Sequence, residues 1–106
     1  MKALAAWLVA LSVLVGSAPV AHADDAADFL AFLDKDQIAY SNPATAVNMG
    51  NGICQQLRSN PDPGSVLDPV FNAGYSGRQA GLIVFAATRT LCPDMAPVVD
   101  KWPNSP

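Results

Sequence analysis

The sequence predicts an all-α protein, a small disulfide-closed bundle of about four helices that follows a cleaved signal peptide. Three observations predict it. The first 23 residues have the layout of a secretory leader, apolar residues then recur at three- and four-residue spacings between Pro and Gly breaks, and both cysteines, Cys54 and Cys92, lie beyond the leader. The expected organisation is 1–23 signal peptide, 24–93 helical domain and 94–106 Pro-rich C-terminal tail.

In the leader, Lys2 supplies a positive start and Ala3 to Val15 carries no charge. That run has the length of a leader's apolar region and falls short of the roughly 20 residues that cross a bilayer. Gly16 and Pro19 interrupt it, and Ala21-His22-Ala23 places small side chains at the two positions a signal peptidase must accept. Cleavage is expected between Ala23 and Asp24. The alternative, an uncleaved anchor helix, is disfavoured by the short span. No cysteine stands near the cleavage point to carry a lipid. The expected location is therefore secreted or in the periplasm or cell envelope, with no stable membrane span after cleavage.

Removing 23 of the 106 residues leaves 83 and moves the formal charge from −3 to −4, because Lys2 departs while all nine acidic residues stay. All nine are Asp, and the only histidine, His22, leaves with the leader. The five remaining basic residues, Lys35, Arg58, Arg78, Arg89 and Lys101, are scattered. So few cations on an acidic domain disfavour nucleic acid and anionic lipid surfaces as partners. Export delivers Cys54 and Cys92 to an oxidising compartment, where a disulfide is the default and two free buried thiols the alternative. A domain of this size buries only about 60–65% of its unfolded surface, so a covalent tie matters to it.

Asp24 and Asp25 precede Ala26, Phe29, Leu30 and Leu33, which share one helical face, and the leading carboxylates suit the positive end of the helix dipole. This first helix is expected to end near Lys35 to Ile38. In the second, Asn42 caps and Pro43 occupies the first turn, where its missing N–H is harmless. Val47, Gly50, Cys54 and Leu57 form its stripe, with Ile53 beside it. Gly50 and Gly52 weaken a helix, which points to close approach of a neighbour there. Ser59 to Gly64 is dense in turn formers and ends it.

A short third helix is expected from Ser65 or Asp68 to Ala73, with Val66, Leu67, Val70 and Phe71 inward and Gly74 as its stop. Pro69 inside that span leaves an ordered loop as the alternative. Ser76 and Gln79 then make a capping box for the most apolar segment. Its stripe is Ala80, Ile83, Val84, Ala87 and Leu91, widened by Leu82 and Phe85, the pattern of a central helix that stops before Pro93. Cys54 and Cys92 thus fall on the second and fourth helices, which a bridge would pin together. Pro97, Pro103 and Pro106 exclude a long helix from the tail, whereas Met95, Val98, Val99 and Trp102 can lay it over the bundle.

Asp28-Phe29-Leu30 with Leu33, Ala46 with Gly50 and Cys54, Leu57, Gly74 with Ser76 and Ala80, and Leu91-Cys92-Pro93 together resemble the small exported mycobacterial proteins grouped as the domain of unknown function 732 family. The resemblance runs from about Asp24 to Pro93. It rests on small, apolar and cysteine residues, which specify a fold more than a reaction. It implies a disulfide-closed helical domain outside the cytoplasm and carries no functional residue with it.

Without an imidazole, and with both thiols expected in a bridge, nucleophilic catalysis lacks its base and its nucleophile. Zinc sites containing histidine are removed too, and two cysteines cannot build a closed tetrahedral one. Paired Asp carboxylates can hydrolyse sugars only across a cleft that a small helical domain is not expected to provide. Asp34-Lys35-Asp36 imitates the start of a calcium loop, but Ile38 and Ala39 replace the next ligand and the turn glycine. The expectation is a non-enzyme with no metal and no cofactor. A haem carrier would need Tyr40, Tyr75 or Met49 as its axial ligand.

Leu82, Ile83, Val84 and Phe85 in succession cannot all face one core, so the surplus belongs to a second covering helix, an apolar pocket or an interface. Trp102 is a tail anchor or a contact residue, and Tyr75 stands on a loop. Leu82, Phe85, Tyr75 and Trp102 are accordingly the candidate interaction or pocket residues. The expected function is a non-catalytic exported interaction module that contacts an unknown protein or envelope component. The alternative is a small carrier that binds an apolar ligand, lipid or haem, between its helices.

Overall fold

A computed structural model describes residues 23–103. The expected leader apart from Ala23, and the last three residues of the tail, lie outside the described residues. Five helices follow in order: α1 (Ala23–Lys35), α2 (Pro43–Ser59), α3 (Pro63–Asn72), α4 (Gly77–Thr90) and α5 (Ala96–Asp100), with a 3-10 turn at Pro93–Met95 before the last. Among the described residues there is no strand, and the all-α class holds.

Helix α1 carries Asp24 and Asp25 in its first turn and buries Phe29 and Leu33 completely. Its end is closed by a motif that usually employs glycine. Gln37 takes φ +58°, its N–H donates to the Asp34 carbonyl at 3.1 Å, and the Ile38 N–H donates to the Leu33 carbonyl at 2.8 Å. The apolar side chains at both ends of that last bond, Ile38 and Leu33, are buried together. A side chain in the left-handed region costs about 1 kcal/mol. Gln37→Gly is therefore expected to raise the unfolding free energy by about 0.5–1 kcal/mol, read as a higher urea midpoint at unchanged slope.

Helix α2 starts as its sequence requires, with the Thr45 N–H donating to the Asn42 side chain at 2.8 Å and Pro43 in the first turn. Its buried row is Ala46, Gly50, Ile53, Cys54 and Leu57, so Ala46 takes the place expected for Val47, which is half-buried. The two glycines differ. A Cβ at Gly50 would lie 2.6 Å from Leu91 Cδ1 and 2.9 Å from Phe29 Cζ, whereas a Cβ at Gly52 would meet nothing within 4 Å. Close approach is thus confined to Gly50.

The third element is a helix rather than a loop, and it begins at Pro63, earlier than Ser65. Asp62 caps it by accepting from the Ser65 N–H at 3.1 Å. Pro69 deprives it of one N–H, and burial of Val66 and Val70 against the neighbouring helices offsets that loss. It stops as expected: Gly74 adopts φ +102°, with the Gly74 N–H on the Phe71 carbonyl at 2.9 Å and the Tyr75 N–H on the Val70 carbonyl at 3.4 Å. Phe71, expected inward, is instead 42% exposed. Val66 and Val70 form the inward row, and Phe71 sits some 100° around the helix at the exposed end of a row whose other members, Pro63 and Leu67, are half-buried.

Helix α4 is central and packs against α1, α2, α3 and α5. Its capping box is complete, with the Gln79 N–H on Ser76 Oγ at 3.2 Å and the Ser76 N–H on Gln79 Oε1 at 3.0 Å. Ala80, Ile83, Val84, Ala86, Ala87, Thr88 and Thr90 are buried. The two threonines satisfy their hydroxyls within the helix, Thr88 donating to the Phe85 carbonyl at 3.0 Å and Thr90 to the Ala86 carbonyl at 2.8 Å. Burial of this many faces requires cover over most of the helix, to which the tail contributes, while Arg78 and Arg89 remain exposed.

Cys54 and Cys92 form the expected disulfide, with Cα atoms 6.0 Å apart. The segment beyond Cys92 folds back along α4, burying Val99 and half-burying Met95, Val98 and Trp102. It contains a short helix, α5, which the prolines permit because Pro97 lies in its first turn. Trp102 Nε1 donates to the Pro61 carbonyl at 3.1 Å and fastens this segment to the α2–α3 turn.

Candidate functional site

The side chains with chemical interest gather where the α1–α2 linker meets the α3–α4 turn. Helix caps bring them there: the Gln37 closure throws Ala39, Tyr40 and Ser41 over the start of α2, and the Gly74 closure turns Tyr75 back toward them. Tyr75 Oη donates to the Ala39 carbonyl at 2.6 Å, a link across 36 residues of sequence. Between the two segments lies a groove of about 520 Å³ lined by Tyr40, Ser41, Thr45, Met49, Ala73 and Tyr75, among others. A second, smaller recess of about 210 Å³ between α2 and α3 shares one wall with it, Met49.

Tyr40 Oη donates to Asp34 Oδ1 at 3.0 Å. This bond to a carboxylate holds the phenol's ionisation above the ordinary value of 10.0, with a smaller contribution from desolvation and from the charge of Asp34. Ionised Tyr40 would place two anions side by side. The bond's contribution to stability is thus complete below pH 10.0 and is lost as the pH rises through the raised folded-state value. Titration of tyrosinate absorbance is expected to show the Tyr40 phenol ionising above 10.0, and Asp34→Asn should lower it toward that value. Unchanged absorbance in the variant would contradict the assignment.

The three candidate haem ligands Tyr40, Met49 and Tyr75 therefore line one groove. Both phenols are already engaged as donors, to Asp34 and to Ala39, and the raised ionisation of Tyr40 opposes a tyrosinate ligand. The arrangement suits hydrogen bonding and apolar contact better than iron ligation. Among the described residues no group of three His, Cys, Asp or Glu side chains converges on a metal-sized space.

The four candidate interaction residues do not come together. Tyr75 belongs to the groove. Leu82 packs half-buried against the core. Phe85 lies on the α1–α4 seam, edge-on to Phe32 with ring centroids 6.5 Å apart, and Arg89 lies over its ring at 4.4 Å while donating to Asp100 at 2.8 Å. Trp102 is the anchor on Pro61. The apolar surplus of α4 is therefore absorbed mostly by neighbouring elements. Sequence reading missed Phe71 as an exposed aromatic and the joining of Tyr40, Thr45 and Met49 into one groove. Asp62-Pro63, which repeats the Asn42-Pro43 cap pattern, was the available signal for where α3 begins.

Among the described residues no single helix is long and apolar enough to cross a membrane. Comparison with curated proteins and with solved structures finds no match. A family model described as Protein of unknown function (DUF732) matches residues 23–94, two thirds of the sequence. The chain belongs to this family, whose matched residues hold all of α1 to α4 and both cysteines of the disulfide.

Proposed function

We propose that this protein is a non-catalytic, exported interaction module that engages a partner through the groove between the α1–α2 linker and the α3–α4 turn. The observation that carries this reading is the gathering of Tyr40, Met49 and Tyr75 around an open groove of about 520 Å³, with none of the residues lining it charged. Tyrosines that present a ring to a groove and a hydroxyl to its rim are favoured contact residues, since they bring large area at low entropic cost. Exposed Phe71, two residues before the groove residue Ala73, adds apolar surface nearby.

Export is supported by the leader-like first 23 residues and by a disulfide in so small a domain, and the family resemblance suggests a mycobacterial envelope as the setting. A non-catalytic role is supported by the expected loss of the only histidine, His22, with the leader and by the engagement of both thiols in the bridge. Asp28→Asn, Asp62→Asn and Asp94→Asn are expected to leave any turnover found in the purified protein unchanged.

The test is native mass spectrometry of protein recovered from its own exported fraction, beside an Ala73→Arg variant that places charge in the groove. A complex in the natural protein that the variant lacks supports the module. A haem mass retained by both proteins would overturn it.

A further inference from the structure

Resting on that reading, we infer that the groove continues past Met49 into the recess between α2 and α3, and that together they take the alkyl chain of an uncharged amphiphile. The two spaces, about 520 and 210 Å³, are separated by Met49. Its unbranched thioether is the side chain best able to swing aside and adapt to an occupant. Polarity changes along the path. Ser41, Thr45 and the tyrosines stand at one end, and Ile53, Val66, Pro69 and Val70 line the other with Gln56 as its one polar side chain.

No residue lining either space is charged, whereas a third groove, on the α1–α4 face, carries Asp28, Lys35 and Arg89. Uncharged walls favour an uncharged occupant. They also favour a methylene chain over a peptide. Apart from Pro69, which has no N–H, the walls of the recess are helical residues whose amide groups are committed to their own helices, so a peptide backbone entering it would lose hydrogen bonds to water with little replacement. Methylenes lose none.

The recess also contains the two residue types least suited to a helix interior, Gly52 of α2 and Pro69 of α3. Packing does not require the missing side chain at Gly52, where a Cβ would meet nothing within 4 Å. A larger residue would instead occupy the recess. From Thr45 to Gln56 the path follows α2 for about 16 Å. That is the length of on the order of a dozen methylenes joined by bonds of about 1.5 Å.

The experiment is an amide NMR titration of the oxidised protein with monododecanoyl, monodecanoyl, monooctanoyl and monobutanoyl glycerol below their micelle concentrations. Expected are shifts at Thr45, Met49, Gly52, Val66 and Val70, and an affinity that weakens by up to about fourfold for each methylene removed. Gly52→Leu, which introduces a good helix former into α2, should weaken dodecanoyl binding tenfold or more. Gly52→Ala, which adds a methyl without a clash, should weaken it two- to threefold and serves if the leucine variant folds poorly. Absence of shifts in the recess, affinity independent of chain length, or equal binding by both variants would overturn the inference. Should the native complex lost in Ala73→Arg prove to contain a protein and no amphiphile, this inference falls while the module stands. If no such complex exists, the module reading itself falls.

Discussion

Replacing Cys54 and Cys92 together by alanine is expected to lower the unfolding free energy by about 4 kcal/mol. The bridge closes a loop with a sequence separation of 38 residues. Constraining that loop in the unfolded chain gives about 4 kcal/mol by the chain-entropy relation. A domain of roughly 80 residues has a total of about 4–12 kcal/mol, so the loss is a large share of it. The bridge ties α2 to the end of α4, two elements that also pack against each other. Arg58 donates two bonds to Asp94, at 2.8 and 2.9 Å, beside the disulfide. Both side chains are half exposed, at 50% and 60%, so the pair contributes no more than about 1 kcal/mol. Urea titration of the double variant against the oxidised protein measures the difference. A midpoint lowered by less than a quarter of the expected amount would mean that packing alone holds α2 to α4.

Gly50→Ala and Gly52→Ala, two residues apart on one helix, are expected to move stability in opposite directions. Each substitution gains about 0.5–1 kcal/mol of helix propensity. At Gly52 nothing offsets the gain, because the new methyl faces open space. At Gly50 the methyl would press on Leu91 Cδ1 at 2.6 Å and on Phe29 Cζ and Cε2 at 2.9 and 3.1 Å. Leu91 is half-buried and can rotate. The Phe29 ring is completely buried and has nowhere to go. Overpacking of this kind costs about 1–3 kcal/mol, which exceeds the propensity gain. Thermal unfolding of the two variants should therefore bracket the natural protein, with Gly52→Ala above it and Gly50→Ala below. A stabilised Gly50→Ala would show that α1 can shift away from α2.

The elements were legible in the sequence because their signals are local. Asn42-Pro43, Ser76 with Gln79, and Gly74 each act over three to five residues, and each does in the structure what its chemistry requires. The start of α3 was misread for the opposite reason of emphasis, since the cap Asp62 stands inside a run of turn formers that looked like a linker throughout. Phe71 could not be placed from spacing. Leu67 and Phe71 are apolar at the same period as Val66 and Val70, and only the position of the neighbouring helices decides which row is covered. The closure at Gln37 carried no signal, because glutamine gives no reason to expect a left-handed backbone.

From the residues alone came the helical class, the one pairing open to two cysteines if they bridge, and the expectation, resting on departure of His22 with the leader, that the domain carries no imidazole. Packing alone decided that Gly50 is tight while Gly52 is open, that the surplus of α4 is largely covered, and that Tyr40, Met49 and Tyr75 share a groove. The division has a physical cause. Caps, turns and covalent pairing depend on neighbours in sequence or on composition, whereas a groove is the space left between surfaces as remote as Ala39 and Tyr75, whose contact exists only once the helices have packed.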